Sequence, residues 1–319
     1  MARPLVTLLD RPVAWTVLDP AAAKIAAVWK KVLPTPVKDV LHGTFLGHPL
    51  HPMLVQVPVG TWTSAVLLDA MATVQQARGG DQRARRAVDH ASGVLVATGL
   101  VGAVPAVLAG WADYIDQHEE QQRIALVHAA SNVVGVALFA ASLVARRRSR
   151  TGRARVLALA GMSANGLGAA LGGHLAYRWA SGANHAEHVP HTTPAGWYPV
   201  VEVNDLPEGA PHQVHVGDTP VVLVRRGDTI HALADTCSHL SAPLSDGQVV
   251  REKGRDCIVC PWHASTFDLA DGSVVHGPAV SPQPRFDVRL RGTTVQIRVR
   301  EIPGVPAAEP LPEADTATP

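Results

Sequence analysis

Four long stretches of the chain are apolar along their whole length rather than on one face. They are Met53–Ala77, Ala91–Ala112, Ile124–Ala145 and Val156–Tyr177, of 25, 22, 22 and 22 residues. Each is near the roughly 20 residues that carry a helix across the hydrocarbon core of a bilayer. Strongly polar segments flank every one, which argues against four buried helices of one large soluble domain. Small residues recur inside them at helical spacing: Gly102, Ala106 and Gly110 in the second, Gly168 and Gly172 in the fourth. Such faces let membrane helices approach closely. After residue 195 the pattern changes. Val221–Val224 and Val288–Val299 are β-type runs, punctuated by the turn signals Arg226-Gly227-Asp228, Ala270-Asp271-Gly272 and Arg291-Gly292.

These patterns predict a multi-domain protein. A polar leader covers residues 1–50, within which Ala21–Lys31 reads as either an interfacial or a solvated helix. An all-α four-helix transmembrane bundle follows over residues 51–180, then a linker at 181–195 and an all-β sandwich at 196–301. Residues 302–319 form a Pro-, Ala- and acid-rich tail expected to be disordered.

Composition sharpens this division. Only 17% of the residues are charged. The four windows hold 91 residues and one charge, Asp69, so the other 228 carry 54 of the 55 charged residues, about 24%, an ordinary soluble value. The formal net charge of +1 gives no basic surface for nucleic acid. The expected partner is the lipid membrane, with redox proteins or quinone beyond it; association into an oligomer is compatible with the pattern.

Charge also bears on orientation. The first inter-helix loop carries Arg78, Arg83, Arg85 and Arg86, and the third Arg146, Arg147, Arg148, Arg150, Arg153 and Arg155. The second, Asp113–Arg123, has four acids and one Arg. Cytoplasmic loops are the arginine-rich ones. This places the β domain on the extracytoplasmic side of a bacterial plasma membrane, against the evidence of Lys24, Lys30, Lys31 and Lys38 in the leader. The Arg146–Arg148 run reads equally as an internal export signal or as a loop anchor.

The most specific chemistry lies in the β region. Cys237-Ser238-His239 is followed, 20 residues later, by Cys260-Pro261-Trp262-His263. Two thiolates and two imidazoles suit a tetrahedral zinc, or a [2Fe–2S] cluster with two Cys on one iron and two His on the other. The surrounding residues select between them. The boxes, with Phe267-Asp268 and Gly277-Pro278 downstream, resemble the Rieske [2Fe–2S] family, ferredoxin-like subclass, over residues 196–300. The resemblance implies that Cys237 and Cys260 hold one iron and His239 and His263 the other. Neutral imidazoles leave a cluster less negative and raise its potential.

Departures from the respiratory subclass carry information. The two positions that would form a bracing disulfide are Ala242 and Trp262. Ser265 stands where a hydroxyl bonds cluster sulfur in high-potential members, whereas Phe267 replaces the second such hydroxyl, a Tyr. With Pro278, these residues are expected to tune the cluster to a potential below the respiratory range. The connection Leu244–Cys257 is long and is expected to bulge. Cys257 lies in an apolar run and is expected to be a core thiol rather than half of a redox pair with Cys260.

The segment Gly47–Met53 and the helical pattern after it resemble a bacterial four-helix membrane domain family without an assigned function. That likeness implies no reaction. Its histidines suggest one: His48, His51, His128 and His174 are all expected at one membrane face, as candidate ligands of a b-type haem or a quinone. Headgroup contacts are the plainer reading. Asp69 is expected to pair with an arginine of the first loop. A Rieske oxygenase would need a large iron-binding domain after residue 301, so a one-electron transfer component of an oxidoreductase system is expected rather than a stand-alone catalyst. The alternative is an iron–sulfur redox sensor or assembly module on a non-catalytic anchor.

Overall fold

Residues 4–79, 81–301 and 308–311 are described by the computed structural model. The helices, in chain order, are α1 (Pro4–Asp10), α2 (Asp19–Val32), α3 (Thr35–His42), α4 (Leu50–Leu54), α5 (Gln56–Ala77), α6 (Gln82–Tyr114), α7 (Glu119–Arg147), α8 (Thr151–Tyr177) and α9 (Val189–Thr192). Four stretches are long and apolar enough to cross a membrane: Leu50–Ala77, Gln82–Tyr114, Glu119–Arg147 and Thr151–Tyr177. Each contains one of the apolar windows and runs past it into polar turns. The first is broken at Val55. Pro58 has no N–H for the Leu54 carbonyl and its ring crowds that carbonyl, so α4 stops at Leu54. Asp81 caps α6 by accepting from the Arg83 and Ala84 N–H groups. The Gln121 side chain accepts the His118 N–H at 3.0 Å where α7 begins.

The chain divides into two units: residues 1–34 with 49–181, and residues 35–48 with 182–319. In the first, α5 lies along α6 and α7 along α8. Small residues fill the helix contacts. Ala65, Ala72, Ala109, Ala112, Ala154 and Ala158 are wholly buried, while Val101 is 73% and Val156 68% exposed. Large apolar side chains pointing outward are what a lipid-facing helix needs. The leader is not a free polar arm. Leu9, Ala22 and Ala26 pack with Tyr114, Ile124 and Leu171. Arg123 holds Asp19 through two bonds of 2.6 and 2.9 Å. The helix expected at Ala21–Lys31 forms within α2 and is packed on one side.

The second unit is built from antiparallel strands: β1 (Tyr198–Glu202), β2 (Pro211–Val216), β3 (Thr219–Arg226), β4 (Thr229–Ala234), β5 (Gln248–Glu252), β6 (Arg255–Val259), β7 (Thr266–Asp268), β8 (Val274–His276), β9 (Phe286–Arg291) and β10 (Thr294–Val299). They form three sheets, ordered β1-β10-β9, β2-β3-β4 and β5-β6-β7-β8. Inward residues of β3 alternate between two cores. Val221 and Leu223 join Val214, Val295 and Ile297 in one; Val222 and Val224 join Ile258, Phe267, Cys237 and Cys260 in the other. The expected turns at Gly227, Gly272 and Gly292 are all present, each glycine at positive φ.

Two expectations change. The Leu244–Cys257 connection does not bulge. It contains β5 and the start of β6, paired in unbroken register from Gln248↔Val259 to Glu252↔Arg255. Lys253 (φ 50°) and Gly254 (φ 82°) make the left-handed two-residue turn that suits the strand twist. The stretch at 181–195, read as a linker, is partly packed: Ala186, Val189 and Thr193 are buried in the β unit. Most of the tail at 302–319 lies outside the described residues; its residues 308–311 touch the β unit, Ala308 bridging Pro194 and the Leu311 N–H reaching Tyr198 Oη at 3.0 Å.

Candidate metal centre

The two Cys/His boxes fold into the same loop. In the first, the Cys237 N–H bonds the Ala242 carbonyl (2.8 Å) and the Ser241 N–H bonds the Cys237 carbonyl (2.9 Å). In the second, the Cys260 N–H bonds the Ser265 carbonyl (2.8 Å) and the Ala264 N–H bonds the Cys260 carbonyl (3.1 Å). Each closes through a left-handed residue four places after its cysteine, Ser241 at φ 65° and Ala264 at φ 61°. The curl aims backbone N–H groups at sulfur: His239 and Leu240 at Cys237, Trp262 and His263 at Cys260. Converging N–H groups favour a negative sulfur.

The donors form two pairs. Both cysteine thiols are buried and share a hydrogen bond. Cys237 donates it and is pushed up by that bond and by burial. Cys260 accepts it, along with the Trp262 and His263 N–H groups, and is brought down to about 7. The His239 and His263 rings are half-buried, edge to face, with centres 5.1 Å apart. Two pairs suit a two-iron group, one pair to each iron, better than one tetrahedral ion.

The surrounding shell comes from distant segments. Ser265 Oγ is wholly buried and accepts the Ala279 N–H at 3.0 Å, which leaves its own proton to give. Phe267 is fully buried in β7 opposite Ile258. Pro278 is buried and follows a cis peptide bond. Gln283, not foreseen from the sequence, accepts the Ser238 N–H at 3.1 Å and donates to the Ala234 carbonyl at 2.8 Å, tying the first box to β4. Asp39 of α3 takes His276 Nδ1 at 2.8 Å and the Gly277 N–H at 2.9 Å. His185 donates its N–H to the Ser238 carbonyl. Cys257 is a buried free thiol, and the three cysteines form no disulfide.

Comparison with known proteins settles the family. The family described as Rieske [2Fe-2S] domain matches residues 196–293, and that described as Predicted membrane protein (DUF2231) matches residues 47–185. The anthranilate 1,2-dioxygenase ferredoxin subunit of Burkholderia cepacia is 32% identical over 107 residues, 34% of this chain and 95% of that protein. The chain belongs to the Rieske [2Fe–2S] family. A second Rieske relative, ferredoxin CarAc of Metapseudomonas resinovorans, is 31% identical over 32% of this chain and 92% of its own length. A solved structure, the ferredoxin of carbazole 1,9a-dioxygenase from Nocardioides aromaticivorans IC177, is 30% identical, with a TM-score of 0.31, over 33% of this chain and all of that one. A Rieske domain implies a [2Fe–2S] cluster, and the two donor pairs fit it.

The other predicted residues of this Rieske chain separate. His51 and His128 meet, with ring centres 6.3 Å apart. His174 does not join them: its Nε2 bonds Asp10 Oδ1 at 2.8 Å. His48 belongs to the β-containing unit. Asp69 pairs not with the first loop but with Arg146 at the end of α7, and accepts from Ser92 Oγ at 2.7 Å. Asp69 lies eight residues, about two turns, before the end of α5, which brings it to α7 rather than to its own loop.

Proposed function

We propose that this protein is a membrane-anchored one-electron carrier, the redox component of a larger oxidoreductase system. Cys237 and Cys260 would hold one iron and His239 and His263 the other. A [2Fe–2S] cluster, when bound, supplies storage for one electron. The observation that carries the reading is the division of the four donors into a buried thiol pair and a half-exposed imidazole pair. The residues around them hold charge rather than turn over a substrate. N–H groups from both loops stabilise negative sulfur, Ser265 can add one hydrogen bond, and Gln283 fixes the first loop. The partly exposed imidazole pair, beside the half-exposed Trp262, is the end at which a partner would exchange electrons.

Several of the relatives are ferredoxin subunits of dioxygenases, which favours a carrier that passes electrons to another protein. The arginine-rich loops favour placing this domain outside the cytoplasm. Purified full-length protein should show a Rieske EPR signal on reduction, lost in Cys237→Ala and His263→Ala. A signal that survives Cys237→Ala would sink the ligand assignment. Protease treatment of intact cells should remove the β unit; its protection there, with digestion in inverted vesicles, would reverse the orientation.

A further inference from the structure

Two histidines of the helical unit are arranged as ligands. His51 on α4 and His128 on α7 lie edge to face with ring centres 6.3 Å apart and ring planes at 78°. Each is steered by a helix neither belongs to. His51 Nδ1 lies 2.7 Å from the Ala106 carbonyl of α6, and His128 Nδ1 2.8 Å from the Gly168 carbonyl of α8. A carbonyl only accepts, so Nδ1 is the protonated nitrogen in both rings. In the neutral ring, the lone pair is then on Nε2. This is how metal-ligating histidines are commonly held, one nitrogen pinned and the other presented.

Asn132 does not spend that lone pair. Its Nδ2 is 3.2 Å from His128 Nε2 and 3.5 Å from Nδ1. An atom on the Nε2 lone-pair axis would be far more distant from Nδ1, so the amide lies over the ring face. It donates to the His128 carbonyl at 3.0 Å. Glycines make room for both rings. A Cβ at Gly110 would come within 3.0 Å of His51 Cε1, and one at Gly172 within 3.1 Å of His128 Cε1.

The spacing selects the ligand class. A metal between two opposed imidazoles sits about 2.0 Å from each nitrogen, which puts the ring centres about 6 Å apart. A quinone clasped by its two carbonyls would hold the rings much farther apart. A bare ion would need more protein ligands than these two imidazoles. A porphyrin brings four nitrogens of its own and asks the protein for two. We propose that His51 and His128 are the two axial ligands of an iron porphyrin in the helical unit.

The test uses the full chain, produced with a haem precursor supplied and purified in detergent. Absorption and EPR spectra should show one low-spin, bis-imidazole haem per chain. His51→Gly and His128→Gly should each lower bound haem at least tenfold or turn it high-spin, and free imidazole should restore the low-spin spectrum. His174→Ala and His48→Ala should leave it unchanged. Far-ultraviolet circular dichroism of each variant reports folding of the helices, and the Rieske EPR signal, present in every variant, that of the β unit. Wild-type protein with that signal and no haem overturns the proposal, as does a low-spin haem retained by either glycine variant without imidazole. Haem present without a Rieske signal would overturn the carrier reading above and leave this one standing.

Discussion

In the β unit the fully buried positions hold Val221, Leu223, Ile258, Phe267 and Ile297. In the helical unit they hold mainly alanine, and glycines such as Gly99 and Gly135 take neighbouring side chains directly against their backbone. The two units are stabilised by different physics. Water drives large side chains inward in the first. Lipid is as apolar as leucine and drives nothing inward, so close backbone approach and polar pairs must hold the second together. The two units are therefore sensitive to opposite changes of side-chain size.

The largest contrast is expected at Asp69. Removing one member of a buried ion pair costs about 3–5 kcal/mol, because its partner stays charged and unsatisfied. Asp69→Ala should sharply lower the melting temperature of the helices by circular dichroism in detergent and leave the cluster's visible spectrum intact. The double variant with Arg146→Ala should recover part of the loss. A cluster that bleaches in step with the helices would show that the two units melt together.

Next come opposite edits of side-chain size. Phe267→Ala removes a ring from a wholly buried site and should cost about 3–5 kcal/mol, read from denaturation of the β unit. Gly99→Ala adds a methyl that overlaps Trp62, whose ring is stacked on Phe139 at 4.4 Å, and should cost about 1–3 kcal/mol in the helices. Gly166→Ala is the control. Its methyl meets open space, so intrinsic helix preference should stabilise it by up to about 1 kcal/mol. Equal effects at Gly99 and Gly166 would undo the argument for small-residue packing.

Ser265→Ala sharpens the redox side. Loss of a hydrogen bond that favours the reduced state should lower the reduction potential by about 60 mV, for about 1.4 kcal/mol of differential bonding. An unchanged potential would mean that the hydroxyl serves only Ala279. The smallest effect is expected at Asp256. The hydrogen bond from Arg226, 2.7 Å away, holds this carboxyl below its usual range despite partial burial. Its contribution, under about 1 kcal/mol, is present above the unfolded-state value of about 3.9 and fades as pH falls through the lowered one. The stability difference between wild type and Asp256→Asn should vanish in acid; a difference that grows there would reverse the sign.

Local pattern made much of this legible. Apolar length marked the four spans, alternation marked β3 and β9–β10, and Gly227, Gly272 and Gly292 marked their turns. The spacing of Cys237, His239, Cys260 and His263 named the chemistry. What stayed hidden were meetings between distant segments. Nothing near Asp39 announces His276, 237 positions on. Nothing near Asp69 chooses Arg146 over Arg83. The extra residues between the boxes gave no periodic sign of whether they would bulge or pair, because Lys253 lacks the usual signature of a left-handed turn residue. Four membrane histidines looked alike until the backbone carbonyls of Ala106 and Gly168 distinguished two of them.

The position of Asp39 in the chain has a consequence for biosynthesis. Its helix leaves the ribosome before the four spans, and the loop it holds leaves after them. Through the whole of membrane insertion this carboxylate waits for a partner that has not been made. A gene fragment starting at residue 182 would encode every strand and all four proposed ligands, yet omit the groups that fix His276 and Gly277. The carboxylate that fixes this loop of the iron–sulfur unit is thus translated before all four spans, and the loop itself after them.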